Sequence, residues 1–361
     1  MGNNHQTYII AEAGVNHNSS VELAKELIDV AAEAGANAVK FQTFKTEKLV
    51  SKNVPKATYQ KQSTDANESQ FAMIKKLELD EQSHYELIDY CNKKEIQFLS
   101  TPFDFDSVDL LANQLDLPKL KVSSGDINNA PLLLKMARTG KQIILSTGMS
   151  NLAEIERALA VIAFGYVNLN ENPSLESFYK TYISNEGQKQ MKNKVTLLHC
   201  TSEYPAPFED VNLNSMLTLK NSFGLPVGLS DHTLGITVPI AAVALGATVI
   251  EKHFTIDKKL PGPDHQASLE PNELKEMVKS IRQVELALGS SIKSPTPSEI
   301  KNKLLVRKSL VAARTIKKGE KFTVDNLTIK RPGLGIEPIY YWDFLKKKAE
   351  RDYQEDELVM P

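Results

Sequence analysis

Short runs rich in Val, Ile, Leu and Phe alternate through residues 1–289 with longer stretches whose apolar positions recur every three or four residues. A continuous apolar run suits a strand covered on both faces, and the longer period suits one side of a helix, so the alternation predicts βα units on a parallel sheet. Eight strands are predicted, at 8–14, 38–44, 96–101, 120–124, 142–147, 195–200, 226–231 and 248–254. The clearest helix is SSVELAKELIDVAAEAG, with Leu23, Leu27, Val30 and Ala31 on one face and Gly35 as its stop. The eighth helix runs from Pro271 to Gly289, opening on proline and closing on glycine. Eight such units fit a (β/α)8 TIM barrel, which takes roughly 250 residues, better than an open doubly wound sheet. No GxGxxG or GxxxxGK follows any strand, which argues against nucleotide-binding folds.

Two polar stretches interrupt the alternation. Residues 45–75 follow the second strand and so fall on the face where barrels carry their active sites; a connection of that length predicts a lid or binding loop. Residues 166–194 follow the fifth helix and are expected as peripheral decoration on the opposite face. After Gly289 the pattern changes to a Ser/Pro linker, 290–303, and a small, mainly β segment, 304–361, with turn signals KKGE and RPGLG. A segment this small is marginal alone, so it is expected to pack on the barrel or on a neighbouring subunit.

Composition narrows the picture. The chain of 361 residues is 41% hydrophobic and 24% charged, the balance of a globular protein, and its formal charge of −2 gives no general attraction to nucleic acid or acidic membranes. No apolar run reaches the roughly 18 residues of a membrane span, and the first residues lack a leader's basic and apolar regions, so a cytoplasmic protein is expected. Met1-Gly2 does not read as a myristoylation signal, because Gln6 stands where Ser or Thr is needed. Cys91 and Cys200 are expected as reduced, buried thiols.

Candidate chemistry collects at the strand ends: Glu12 with Asn16 and His17, Lys40 with Gln42, Ser100 with Thr101, Lys121 with Ser123 and Ser124, Ser146 with Thr147, His199, Ser230 with Asp231 and His232, and Glu251 with His253. One such residue is usually just the edge of an apolar run; eight coincident ends point to a site. The spacing of two in Lys40/Gln42 and Glu251/His253 turns each pair to one side of the sheet. Lys40 and Lys121 converge on a space too confined for two ammonium groups unless an anion lies between them, which predicts a phosphate or carboxylate site, with the hydroxyls of Ser124, Ser146 and Ser230 and the glycines of SSGD and STGM around it. His232 and His253 could share one divalent cation, or form a hydrogen-bonded core pair, or supply a general base. Two protein ligands would leave an open, octahedral Mn²⁺ or Mg²⁺ site. Tyr204 and Asp264 sit in loops on the same face, suited to a polyol.

The motifs IIAEAGVNHN, AVKFQTF, FLSTPFD, KVSSGD, ILSTGM, LLHCTSEYPAPFEDVNL, GLSDHTLG, EKHFT and PGPDHQASLEP, followed by KKGE and KRPG, resemble the bacterial N-acetylneuraminate (sialic acid) synthase family, which includes legionaminic and pseudaminic acid synthases. The resemblance spans nearly the whole chain apart from 166–194. It implies a TIM barrel with a C-terminal antifreeze-like (SAF) domain, condensing phosphoenolpyruvate with an N-acylated amino sugar as a domain-swapped homodimer. It implies metal ligation by His232 and His253, with Mn²⁺ first and Mg²⁺ or Co²⁺ as alternatives, and Glu12 orienting water or substrate. Phosphoenolpyruvate would be held by Lys40, Lys121, Ser124, Ser146 and Ser230, and the sugar by Gln42, Tyr204 and Asp264; Thr101, His199 and Ser202 complete the expected substrate contacts. Arg331 resembles an arginine that reaches the N-acyl group in the partner subunit's site. N-acetylneuraminate synthase is the first expectation. AEAGVNHN and the KATYQ segment near residue 59 are also similar to N,N'-diacetyllegionaminate synthases, which use 2,4-diacetamido-2,4,6-trideoxymannose. A non-catalytic sugar-binding barrel and an aldolase with Lys121 or Lys40 as Schiff base are the other readings.

Overall fold

The apolar runs become β1 (Tyr8–Gly14), β2 (Ala38–Thr43), β3 (Gln97–Pro102), β4 (Lys119–Val122), β5 (Gln142–Ser146), β6 (Val195–Cys200), β7 (Val227–Asp231) and β8 (Val249–His253) in a computed structural model that describes residues 6–52, 54–56 and 68–360. The strands hydrogen-bond in the order β3-β2-β1-β8-β7-β6-β5-β4, every ladder parallel, and β3 lies beside β4 to make a near-closed TIM-like barrel. Most of the KATYQ segment lies outside the described residues.

The period of two along each strand separates the barrel's two sides. Ile9, Val39, Phe41, Phe98, Leu120, Leu145, Leu197 and Ile250 face the helices as part of the main core. Ile10, Ala38, Leu99, Ile144, Leu198 and Val249 form a separate cluster, the apolar plug of the barrel interior. Two residues further along the same strands stand Glu12, Lys40, Thr101, Ser146, Cys200 and Glu251, all buried. Strand periodicity alone therefore stacks a polar layer on an apolar one at the carboxyl end of the barrel.

Helix Val21–Glu33 starts where the Ser20 side chain accepts from Leu23 N at 3.1 Å. Its buried face is Ala24, Leu27, Ile28 and Ala31, with Leu23 and Val30 only half-buried; the expected stripe is turned by part of a helical step. Helix Pro271–Leu288 ends at Gly289, whose φ of 49° takes the backbone into the left-handed region. The 166–194 stretch is not loop. Tyr166 and Val167 finish helix Leu152–Val167, and Leu175–Tyr182 and Asn185–Lys194 are helices capped by Ser174 and Ser184, with Phe178 edge-on to Phe164 at 5.2 Å.

By itself, the second unit, Ser290–Pro361, holds an antiparallel pair, β9 (Ser309–Ala312) and β10 (Leu327–Lys330), over a core that includes Leu310, Ile316, Phe322, Tyr353 and Val359. The first unit ends at Gly289. Helix Pro297–Val306 occupies much of the expected linker and buries none of its residues. Among the described residues no helix is long and apolar enough to cross a membrane.

Candidate functional site

Four charged side chains meet in the polar layer of the barrel, one each from β1, β2, β4 and β8. Lys40 Nζ stands 2.6 Å from Glu12 Oε2 and 3.7 Å from Glu251 Oε2, and Lys121 Nζ 3.3 Å from Glu251 Oε1. The anion expected between the two ammonium groups is therefore the protein's own Glu251, which both lysines share. Their convergence does not by itself demand a ligand. Burial is the largest influence on both carboxyls and works against charge. At Glu251 the two lysines and the Ser230 hydroxyl outweigh it and hold the pKa down to about 2, whereas Glu12, opposed by Glu251, is pushed up to about 7 despite Lys40. Near neutrality Glu12 is only partly ionised, so the cluster carries surplus positive charge. The cluster has its own internal counter-ion and is a candidate for holding a further anion.

Hydroxyls surround the cluster. Ser230 Oγ donates to Glu251 Oε1 at 2.8 Å and Lys40 Nζ donates to Thr101 Oγ1 at 3.1 Å. Ser146 Oγ is buried with no hydrogen-bond partner among the described residues. Ser124 Oγ accepts from Gly148 N at 3.0 Å. A Cβ on Gly148 would collide with Ser202 Oγ and come within 2.8 Å of Ser124 Oγ, so glycine is what lets the two serines close on one cradle.

On the other side of the mouth, the rings of His232 and His253 lie 5.7 Å apart, with Tyr204 at 4.1 Å from the first and 5.6 Å from the second. His232 Nδ1 donates to the Thr201 carbonyl at 2.6 Å, leaving Nε2 as a lone-pair donor. Burial works against a charge on His232, but Cys200, with Sγ at 3.7 Å from Nδ1, and the Thr201 carbonyl together raise its pKa. His253 is held well below the usual histidine range by burial and by His232, and its Nδ1 is buried without a partner. Two imidazoles, His232 with Nε2 turned away from its Nδ1 hydrogen bond and His253 with an unpartnered Nδ1, could hold a divalent cation with its other positions open to water and substrate. No cluster of three or more His, Cys, Asp or Glu able to hold a metal occurs among the described residues. Asp264, buried beside this pair, has its carboxyl raised to about 6 by burial. Gln42 Nε2, His253 Cε1 and Glu12 Oε1 all lie within 4 Å of the Cβ position of Gly14, so Gln42 borders both the histidine and the carboxylate sides.

One expected residue is turned away from the site. His199 faces away from the inner layer, its Nε2 on the Val211 carbonyl at 2.5 Å; Cys200, one residue on, holds the inward position. Arg331 is exposed in the second unit, directly after β10. Nor is the 166–194 stretch confined to the far face, since Leu175, Phe178 and Tyr179 line a cavity of about 540 Å³ together with Ser124 and Gly148. Behind the histidines lies a pair of which the strand ends pointed only to Asp231. Lys252 Nζ, fully buried, donates to Asp231 Oδ2 at 2.5 Å and to the Thr233 carbonyl, while Asp231 accepts from Thr233 N and Oγ1. These residues flank His232 and precede His253 in sequence, and a lysine inside an apolar run was the available signal.

Residues 27–293 match the NeuB family and residues 307–361 the SAF domain. The chain is 53% identical to the N,N'-diacetyllegionaminic acid synthase of Campylobacter jejuni, over 98% of this chain and 99% of that one. It is 47% identical to the enzyme of the same name from Legionella pneumophila, over 93% and 88%. Among solved structures it resembles the N-acetylneuraminic acid (sialic acid) synthetase of Leptospira borgpetersenii, with a TM-score of 0.66 and 34% identity, covering 84% of this chain and 93% of that one.

Proposed function

The chain belongs to the NeuB family and carries a SAF domain, and from that premise we propose that it condenses phosphoenolpyruvate with 2,4-diacetamido-2,4,6-trideoxymannose to give N,N'-diacetyllegionaminate and phosphate, in the cytoplasm. What carries the choice of sugar is that relatives of the legionaminic name stand at 53% and 47% identity over nearly the full chain, while the human N-acetylneuraminate-9-phosphate synthase stands at 34%. N-acetylneuraminate synthesis is the weaker reading on the same comparison.

In this reading the surplus positive charge of Lys40 and Lys121 receives the phosphate and carboxylate of phosphoenolpyruvate, and the Ser124, Ser146, Ser202 and Ser230 hydroxyls orient it. His232 and His253 would hold a divalent cation, Mn²⁺ by preference, whose chemistry is electrophilic polarisation of the sugar's aldehyde. The bond forms between C3 of phosphoenolpyruvate and the aldehyde carbon as the C2=C3 and C=O π bonds open; the aldehyde oxygen takes a proton from solvent to become a hydroxyl, positive charge develops at C2, and water adds there. Glu12, its pKa close to 7, is suited to take the proton from that water. The tetrahedral carbon then expels phosphate with cleavage of the C–O bond. Gln42, Tyr204 and Asp264 would hold the sugar's polar groups. Arg331 would reach the N-acyl group from a partner subunit in a homodimer; the apolar side chains Ile300, Leu304 and Leu305, exposed on helix Pro297–Val306, suit such an assembly.

Purified protein with Mn²⁺, phosphoenolpyruvate and each sugar in turn should release phosphate fastest with the trideoxy sugar and give a product of the mass of N,N'-diacetyllegionaminate, with ¹⁸O from bulk water in the ketoacid. Faster turnover of N-acetylmannosamine would reverse the choice of sugar. Label in the released phosphate would rule out the C–O route.

A further inference from the structure

The cavity beside His253 has two unlike sides. Within a volume of about 140 Å³, Gln42 and Asp264 contribute polar groups, while Leu49, Ile74, Leu77 and Phe44 contribute only carbon. The apolar side is not part of the barrel core. It is a separate cluster in which buried Phe44 and Leu77 pack with Leu49 and Ile74, all from the end of β2 and the long connection after it. The short helices that carry it, Thr46–Leu49 and Gln70–Lys75, are pinned to each other: Glu78 accepts from Thr46 N at 2.5 Å, and Lys75 pairs with Glu47 and Glu78, each at 2.9 Å. A largely polar connection has thus been given a fixed hydrocarbon surface at the mouth of a polar site, and Leu49 and Ile74 are only half-buried there.

An open-chain sugar must present its aldehyde to the histidines and lysines, which leaves the opposite end, C6, for the far side of the same cavity. A C6 hydroxyl against Leu49 and Ile74 would lose its water without gaining a partner, whereas a C6 methyl would gain contact. Resting on the function proposed above, we infer that the wall of Leu49, Ile74, Leu77 and Phe44 receives the C6 methyl group of a 6-deoxy amino sugar and is this enzyme's specificity determinant at C6. One group of this size in an apolar pocket discriminates by about 10- to 200-fold.

The test compares kcat/KM for N-acetylmannosamine, for 2-acetamido-2,6-dideoxymannose, which differs from it only at C6, and for 2,4-diacetamido-2,4,6-trideoxymannose. The wild type should favour the 6-deoxy compound over N-acetylmannosamine by about tenfold or more. Ile74→Thr and Leu49→Asn should reduce that ratio severalfold, chiefly through KM of the deoxy sugar, while Ile74→Leu keeps it; thermal melts of the three variants identify any that fail to fold, and the Ile74→Thr and Ile74→Leu pair decides at equal stability. A wild type indifferent to C6, or variants that slow both sugars equally, would overturn the wall while leaving the proposed reaction standing. A wild type that condenses none of the three sugars with phosphoenolpyruvate would sink the proposed reaction and the wall with it.

Discussion

Two buried ionic clusters share β8 one residue apart, facing opposite sides of the barrel wall. Lys252 points outward, and its pair with Asp231 is closed: both Asp231 oxygens and the Thr233 carbonyl are used in hydrogen bonds. Glu251 points inward to Lys40 and Lys121, and there the ions are close without being aligned. Lys40 Nζ reaches Glu12 Oε2 at 2.6 Å but Glu251 Oε2 only at 3.7 Å, and Ser146 Oγ in the same layer is buried with no hydrogen-bond partner among the described residues. A buried charge cluster that serves only the fold tends to be fully satisfied, because each loose end costs free energy. One that keeps loose ends is arranged for something that arrives later. The difference separates scaffold from site more sharply than burial does, since both clusters are equally buried.

The largest effect should come from breaking the closed pair. Lys252→Met leaves Asp231 charged, buried and unpaired, a loss of about 3–5 kcal/mol, which lowers the barrel's melting temperature by about 10 °C in scanning calorimetry. Lys40→Met should melt within a few degrees of the wild type, because Glu12 can answer the lost ammonium by keeping its proton. Its kcat/KM should nevertheless fall by a hundredfold to a thousandfold. If Lys40→Met melts as low as Lys252→Met, the distinction between the two clusters fails.

Strand periodicity also marks where the sequence was legible. All eight barrel strands lie within a residue or two of their expected ends, because strands buried on both faces stand out as apolar runs. The residues that meet at the mouth were mostly named from those ends. Side was harder to read than position. His199 and Cys200 are adjacent, and a shift of one residue exchanges inward for outward; only the ladder with β7, which pairs Cys200 with Ser230, decides between them. That Glu251 answers two lysines from β2 and β4 depends on closure of the barrel across its interior, which no local pattern encodes. The helix of 185–194 escaped because Met191 is its one apolar side chain, and that of 175–182 because eight residues are too few for its apolar spacing to repeat, although Ser174 and Ser184 stand as caps.

The next effect is one of pH. Glu12 keeps its proton in the fold up to about pH 7, whereas the unfolded chain releases it near 4.5. Between those values the folded state binds more protons, so stability falls as pH rises through this window, by about 1 kcal/mol per pH unit. Glu251 works in the opposite sense: lowered to about 2, it contributes stability that is present above about 4.5 and lost as pH falls toward 2. Melting curves from pH 4.5 to 7.5 should therefore show the wild type losing stability relative to Glu12→Gln as pH rises. Parallel curves would mean that Glu12 is ionised throughout and that the cluster carries no surplus positive charge to offer a ligand.

The smallest change tests whether the loose end is shaped as well as charged. Gly148→Ala adds one methyl group against Ser202 Oγ, 2.8 Å from Ser124 Oγ and 3.2 Å from the Cys200 carbonyl. Both hydroxyls can rotate away, so the fold should lose no more than about 1–2 kcal/mol. The cradle they form cannot then close on an anion with the same geometry, because the added methyl group takes the space between the two hydroxyls. KM for phosphoenolpyruvate should rise about tenfold, with KM for the sugar unchanged, since the contacts proposed for the sugar, Gln42, Tyr204 and Asp264, lie across the mouth. Equal rises in both would show that the methyl group has distorted the strand ends generally, whereas a rise confined to phosphoenolpyruvate places the phosphate on the Ser124 side of the lysine cluster.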